Sequence, residues 1–270
     1  MDKPPHDADA ESLDPVGWTA VAALWSRAVE QRHENPLLHD PDAAAWLDAL
    51  GLDTSRLDRS TATRVAVCAR ARFIDTWVRE WATRHPLGVV VELGVGFSTR
   101  ASRLVKTNLE FIGIDQEPVL RRRQSLNTET SESLLALNLE EPNALEALQN
   151  SIGSRPMCII AEGLFMFLDS SSVDRLLTDL ATRFAESPLL FDAYAPPARM
   201  LQRFHDSLGK LGQPIRSTFT VSPHLNILAS HTLRDAPDAF ARLPLVYRLP
   251  GVHRLHATYR AVLKAPGSAR

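Results

Sequence analysis

The 270-residue chain predicts an α/β fold, a doubly wound and mostly parallel sheet preceded by an N-terminal helical cap. Three observations predict it. From Pro86 onward, short continuous apolar runs alternate with helix-forming stretches, the pattern of strands covered on both faces. The first run, Val89-Val90-Val91-Glu92-Leu93, ends in the glycine turn Gly94-Val95-Gly96. Before Pro86 the apolar residues fall at helical spacing instead.

Residues 1–16 are rich in Asp, Pro and Ala and read as a flexible N-terminal arm. Residues 17–85 read as the helical cap. Trp18, Val21, Ala22, Trp25 and Val29 make an amphipathic stripe over Gly17 to Gln31. Asp40-Pro41-Asp42 reads as a cap, with Pro just inside a helix that carries Ala45, Trp46 and Leu50. Val65, Ala69, Phe73, Ile74, Trp77 and Trp81 lie along one face of a helix from Ser60 to Arg84.

Residues 86–270 read as the sheet domain. Strands are expected at 89–91, 111–115, 133–137, 157–161 and 189–192, with helices over 99–106, 118–126, 142–149, 171–184 and 197–208. Right-handed crossovers between them give the open, doubly wound sheet. Beyond Gly212, Ile215 to Val221 and Leu255 to Leu263 alternate as strands do, and Ser222 to His253 reads as part helix, part loop.

The composition, 44% hydrophobic and 23% charged, is that of a globular protein. A formal net charge of -2 argues against a protein that binds nucleic acid through phosphate neutralisation. No apolar run approaches bilayer-spanning length, and the first residues lack a signal-peptide core, so no membrane association is expected. Cys68 and Cys158 sit among apolar neighbours as small hydrophobes, and a reduced, cytoplasmic protein is the expectation.

The turn after the first strand carries the chemistry. Ligands of doubly wound sheets bind at the carboxyl ends of the strands, where glycines let the backbone approach them. Asp115 ends the second strand, where a carboxylate can accept from both ribose hydroxyls of a dinucleotide or of an adenosyl ligand. The third glycine separates these two. A pyrophosphate turn places Gly where this chain has Thr99, so a phosphate-free adenosyl ligand fits better than NAD. Glu92 points the same way, because a carboxylate repels pyrophosphate and tolerates a sulfonium bearing an ammonium group. Arg70 and Arg72 offer guanidinium forks to a ligand carboxylate, although most helix arginines are solvated. Glu162 precedes the apolar stretch Leu164 to Leu168 and needs either a partner or a helix to cap.

Five segments in this order resemble the leucine carboxyl methyltransferase superfamily, in its bacterial branch related to polyketide O-methyltransferases. They are Asn35-Pro36-Leu37-Leu38-His39-Asp40-Pro41-Asp42-Ala43, Ala69-Arg70-Ala71-Arg72-Phe73-Ile74-Asp75, Val91-Glu92-Leu93-Gly94-Val95-Gly96-Phe97-Ser98-Thr99-Arg100, Gly113-Ile114-Asp115 and Ala161-Glu162-Gly163-Leu164-Phe165-Met166-Phe167-Leu168. The resemblance spans roughly Trp18 to Asp192. It implies a class I methyltransferase, Rossmann-like fold that uses S-adenosyl-L-methionine. It also implies that Arg70, ahead of Arg72, holds the cofactor carboxylate, that Gly94 and Gly96 border the methionine moiety, and that Asp115 holds the ribose. Asn138-Leu139 stand where the family has Asp-Leu beside the adenine, and Glu162 would face the methionine amine. Ser98 replaces the family's Asp and keeps a capping oxygen.

The expected reaction is O-methylation of a carboxyl or hydroxyl group on a small metabolite. Methylation of a protein C-terminal carboxylate is the second reading, and a non-catalytic S-adenosylmethionine-binding scaffold or sensor is the third. A nicotinamide oxidoreductase comes last. A hydroxyl acceptor needs a nearby base. Asp192, Tyr194, His205 and His224 lie past the strand ends, and the sequence singles out none of them. Trp18, Trp25 and Trp46 fit an aromatic lid over the acceptor, and they fit core packing more cheaply.

Overall fold

The computed structural model describes residues 13, 15–57, 60–126, 132–201 and 214–267. Three helices come first: α1 (Pro15–Glu30), α2 (Asp42–Leu50) and α3 (Thr61–Ala82). Ser60 caps α3 by accepting from the Thr63 amide at 3.1 Å. Asp40 does not act as the expected side-chain cap of α2. Its carboxylate turns inward to Arg27, Arg103 and Thr99, and only its backbone carbonyl serves the helix start.

Seven strands form one sheet in the order β3-β2-β1-β4-β5-β7-β6: β1 (Val89–Leu93), β2 (Glu110–Asp115), β3 (Glu132–Ala136), β4 (Met157–Ala161), β5 (Pro188–Tyr194), β6 (Leu225–His231) and β7 (His256–Leu263). β1 to β5 run parallel, while β7 is antiparallel to both β5 and β6. The strand period of two divides the core. Val89, Val91 and Leu93 pack with Leu176, Leu177 and Leu180 of the helix Ser170–Arg183 on one face. Val90 packs with Ile74, Trp77 and Trp81 of α3 on the other. The expected sheet class stands.

Three local expectations fail. Residues 215–221 are not a strand. Their donors go elsewhere, Arg216 N to Met166 O in the 3-10 turn Phe165–Phe167 and Phe219 N to Tyr194 O at the end of β5, both at 2.8 Å. The strand that precedes β7 is instead β6, inside the segment expected to be helix and loop. The helix expected after β1 shrinks to four residues, Arg100–Arg103, followed by a 3-10 turn at Val105–Thr107. Asn108, at φ 55°, then turns the chain into β2. Trp46 is buried with Val21, Leu24 and Phe97, with Trp18 and Trp25 packed alongside, so these tryptophans form a core and no aromatic lid.

Helix 197–208 appears as Pro196–Leu201, and its remainder lies outside the described residues. So does most of the expected N-terminal arm, although α1 already begins at Pro15. Among the described residues no helix is long and apolar enough to cross a membrane. Cys68 and Cys158 are both buried as free thiols, and burial pushes each up to about 12.

Candidate functional site

The carboxyl ends of β1, β2 and β4, with α1 and α3 beside them, enclose a cavity of about 260 Å³. Arg70, Glu92, Gly94, Gly96, Asp115, Asn138, Leu139 and Glu162 all line it. Arg72 does not. It forms a two-pronged pair with Asp238, at 2.6 and 2.7 Å, on the outer surface of α3.

The glycine turn needs its glycines. Gly94 and Gly96 sit at φ 67° and 50°, a backbone region that side chains disfavour. A β-carbon on Gly96 would stand 2.8 Å from that of Ala20 on α1. The helix therefore roofs the turn closely. Asp115 Oδ2 accepts from the Gly96 amide at 2.7 Å, and Arg123 donates to the Gly96 and Ser98 carbonyls. Ser98 Oγ accepts from Arg100 N and donates to Glu92, so it keeps a capping contact. Asn138 accepts from the Glu140 amide, an Asx turn that holds the loop after β3 at the cavity wall.

Beneath the turn lies a buried ion network. Arg100, 1% exposed, reaches Asp75, Glu92 and Glu162. Arg103 joins Asp75 to Asp40 at 2.8 and 3.1 Å, and Arg27 closes on Asp40 at 2.9 Å. Arg70 bridges Glu162 at 2.9 Å and Asp192 at 3.0 Å. Burial alone would raise the carboxyl of Glu162, yet Arg70 and Arg100 hold it well below the usual range. Asp75 is lowered in the same way, its burial outweighed by Arg103 and Arg100. One atom is left over. Glu92 Oε2 is buried at the cavity and has no hydrogen-bond partner among the described residues.

That atom tests the fit of an adenosyl sulfonium. An acceptor without a donor, beside a turn that forbids side chains, suits the ammonium of S-adenosylmethionine. Glu162 already has arginine partners on both oxygens, and it caps no helix, since the helix that follows begins at Ser170 with Asp169 at its N-cap.

Sequence reasoning gave no role to Arg27, Arg100, Arg103, Arg216 or His256, all of which line the cavity. A signal for part of this set was present. Asp40, Asp75 and Arg100 stand inside the very segments that carry the family resemblance, and the structure joins them in one network. Arg216 and His256 lie beyond those segments. Of the four candidate bases, Tyr194 lines the cavity, while Asp192 lies behind it, fully buried. His224 bonds Thr178 of the helix Ser170–Arg183, away from the cavity, and His205 lies outside the described residues.

Comparison with known proteins identifies the family and agrees with the fold. A family model described as leucine carboxyl methyltransferase matches residues 20–181. The tetracenomycin polyketide synthesis O-methyltransferase TcmP of Streptomyces glaucescens is 28% identical over 83% of this chain and 86% of its own length. A Mycobacterium tuberculosis protein assigned to the S-adenosyl-L-methionine-dependent methyltransferases is 30% identical over 66% of this chain. The match covers 59% of that protein's length. Among solved structures, an S-adenosylmethionine-dependent methyltransferase from Anabaena variabilis superposes with a TM-score of 0.52 at 16% identity. It covers 90% of this chain and 95% of its own, a likeness of fold.

Proposed function

This chain belongs to the leucine carboxyl methyltransferase family and is an S-adenosylmethionine-dependent methyltransferase, and on that premise we propose that it O-methylates a carboxyl or hydroxyl group of a small, polyketide-like metabolite. The observation that supports the site assignment most is the convergence of Arg70, Glu92, Gly94, Gly96, Asp115, Asn138, Leu139 and Glu162 on one cavity.

In this reading Arg70 holds the cofactor carboxylate, Glu92 Oε2 takes its ammonium and Asp115 its ribose hydroxyls. Asn138 and Leu139 stand beside the adenine. When bound, the cofactor supplies an electrophilic methyl group on a sulfonium. The chain's own work is alignment and exclusion of water, which α1 performs by closing over the turn at Gly96. TcmP is named for tetracenomycin polyketide synthesis, and a small polyketide-like acceptor is proposed here by analogy. The buried, reduced thiols suit a cytoplasmic location, which is part of this reading.

Calorimetric titration with S-adenosylhomocysteine tests the assignment of the site. Binding in the micromolar range is expected from wild-type protein, and no heat at millimolar ligand overturns it.

A further inference from the structure

Three consecutive backbone carbonyls of the turn after β1, those of Gly96, Phe97 and Ser98, are each taken by a buried arginine. Arg123, on the helix Glu117–Gln124, donates to the Gly96 carbonyl at 3.0 Å and to the Ser98 carbonyl at 2.6 Å. Arg27 of α1 donates to the Phe97 carbonyl between them at 2.7 Å. Each guanidinium is itself held by a carboxylate, Arg27 by Asp40 at 2.9 Å and Arg123 by Glu132 at the start of β3. The ring of Trp46 on α2 covers Arg123 at 4.8 Å. Arg27 is 5% exposed and Arg123 2%, so water competes little for the three carbonyls.

A turn with glycines at positive φ needs such a hold. Gly94 and Gly96 leave room for a ligand, but glycine has more conformational freedom to lose on ordering than any other residue. In a turn left free, that loss would subtract from the affinity of whatever binds against it. Fixing the carbonyls of residues 96, 97 and 98 fixes three successive peptide planes. The fixed turn also steadies Asp115, whose Oδ2 accepts from the Gly96 amide at 2.7 Å.

We propose that Arg27 and Arg123 clamp the glycine turn into shape before the cofactor arrives, and that Arg123 thereby sets cofactor affinity from outside the cavity. The inference rests on reading the cavity as the cofactor site. Arg27 lines that cavity and Arg123 does not, so Arg123 is a positioning residue and isolates the clamp from any direct contact with the ligand. A lysine cannot replace it, because a single ammonium stands where the planar guanidinium spans two carbonyls and a carboxylate.

Hydrogen exchange of the turn, read by mass spectrometry on the peptide covering residues 92–99, tests the clamp together with calorimetric titration of S-adenosylhomocysteine. In ligand-free wild-type protein the amides of Val95, Gly96 and Ser98, bonded to Ile114 O, Asp115 and Val95 O, are expected to exchange slowly already. In Arg123→Met the same peptide is expected to exchange faster until ligand is added, and affinity for S-adenosylhomocysteine to fall roughly tenfold. Leu180→Ala opens a cavity in the core and is expected to lower the melting temperature while leaving both readouts unchanged, which separates the clamp from general stability. Arg123→Lys keeps a charge opposite Glu132 and is expected to show the same losses in lesser degree; it takes the place of Arg123→Met if that variant fails to fold. Rapid exchange of the turn in ligand-free wild-type protein, unaltered affinity in Arg123→Met, or an equal loss in Leu180→Ala overturns the proposal. Failure of wild-type protein to bind S-adenosylhomocysteine overturns the cofactor site instead, and the exchange measurements then decide the clamp.

Discussion

The two ends of the cavity are built differently. The end at β1, β2 and β4 rests on parallel strands and tight backbone turns, and its charges are locked together: Arg100 and Arg103 tie Asp75, Glu92, Glu162 and Asp40 into one lattice. The other end rests on the antiparallel β5–β7 pair and offers His256, Tyr194 and Arg216, with the buried carboxylate of Asp192 behind His256. Desolvation makes the first end rigid, because each ion in it depends on its partners.

Acid should break this contrast first, and most widely. Asp75, Glu162 and Asp192 have native carboxyls held below the ordinary range by arginines. Such groups contribute stability that is present above the unfolded value and is lost as pH falls through the native one. The melting temperature is therefore expected to stay flat from pH 8 to about 5 and to fall steadily below about 4. Asp238, on the outer surface, is lowered to about 2 by Arg72 but is half exposed, so Asp238→Asn should leave the acid limb in place. A fall that begins above pH 6, or one that Asp238→Asn abolishes, overturns this account.

The hub comes next. Arg100→Met leaves three buried carboxylates short of a cation, and breaking a buried pair in this way costs roughly 3–5 kcal/mol of stability. Urea unfolding measures it. A loss below about 1 kcal/mol would place Arg100 with surface pairs and remove the distinction between the two ends.

How much of this was legible in the sequence follows the same division. Val89 to Gly96 reads directly because a buried strand and its turn are contiguous, and steric limits on glycine act over a few residues. Arg70, Asp115 and Glu162 reach the cavity by a spacing set by strand ends, which a motif preserves. Arg216 and His256 do not read. The placement of His256 depends on where β7 pairs with β5, and that of Arg216 on the bond from its amide to the Met166 carbonyl, contacts between segments far apart in the chain. Residues 215–221 alternate as strands do. What keeps them out of the sheet is hydrogen bonding of Arg216 and Phe219 to the carbonyls of Met166 and Tyr194, a tertiary choice with no local signature. Asp40 misleads for a related reason: Asp-Pro-Asp is a good helix start, and the buried Arg27 outbids the helix for its side chain.

Arg70 belongs to both ends, and comparing it with Arg72 measures the smallest effects. The two stand two residues apart on α3, a spacing that turns them to different sides of the helix. Arg70 is buried against Glu162 and Asp192, and both raise it despite the burial that would lower it, so it stays charged. A bound carboxylate can share its remaining donors. Arg70→Ala removes a charge-assisted contact of about 1.5–3 kcal/mol and is expected to weaken S-adenosylhomocysteine binding roughly ten- to hundred-fold. Arg72→Ala removes only a partly exposed pair with Asp238 and should change stability by at most about 1 kcal/mol, with affinity unaltered. Calorimetry on both variants decides: equal losses of affinity would mean that the ligand carboxylate lies elsewhere along α3, and that Arg70 serves only to neutralise Glu162 and Asp192.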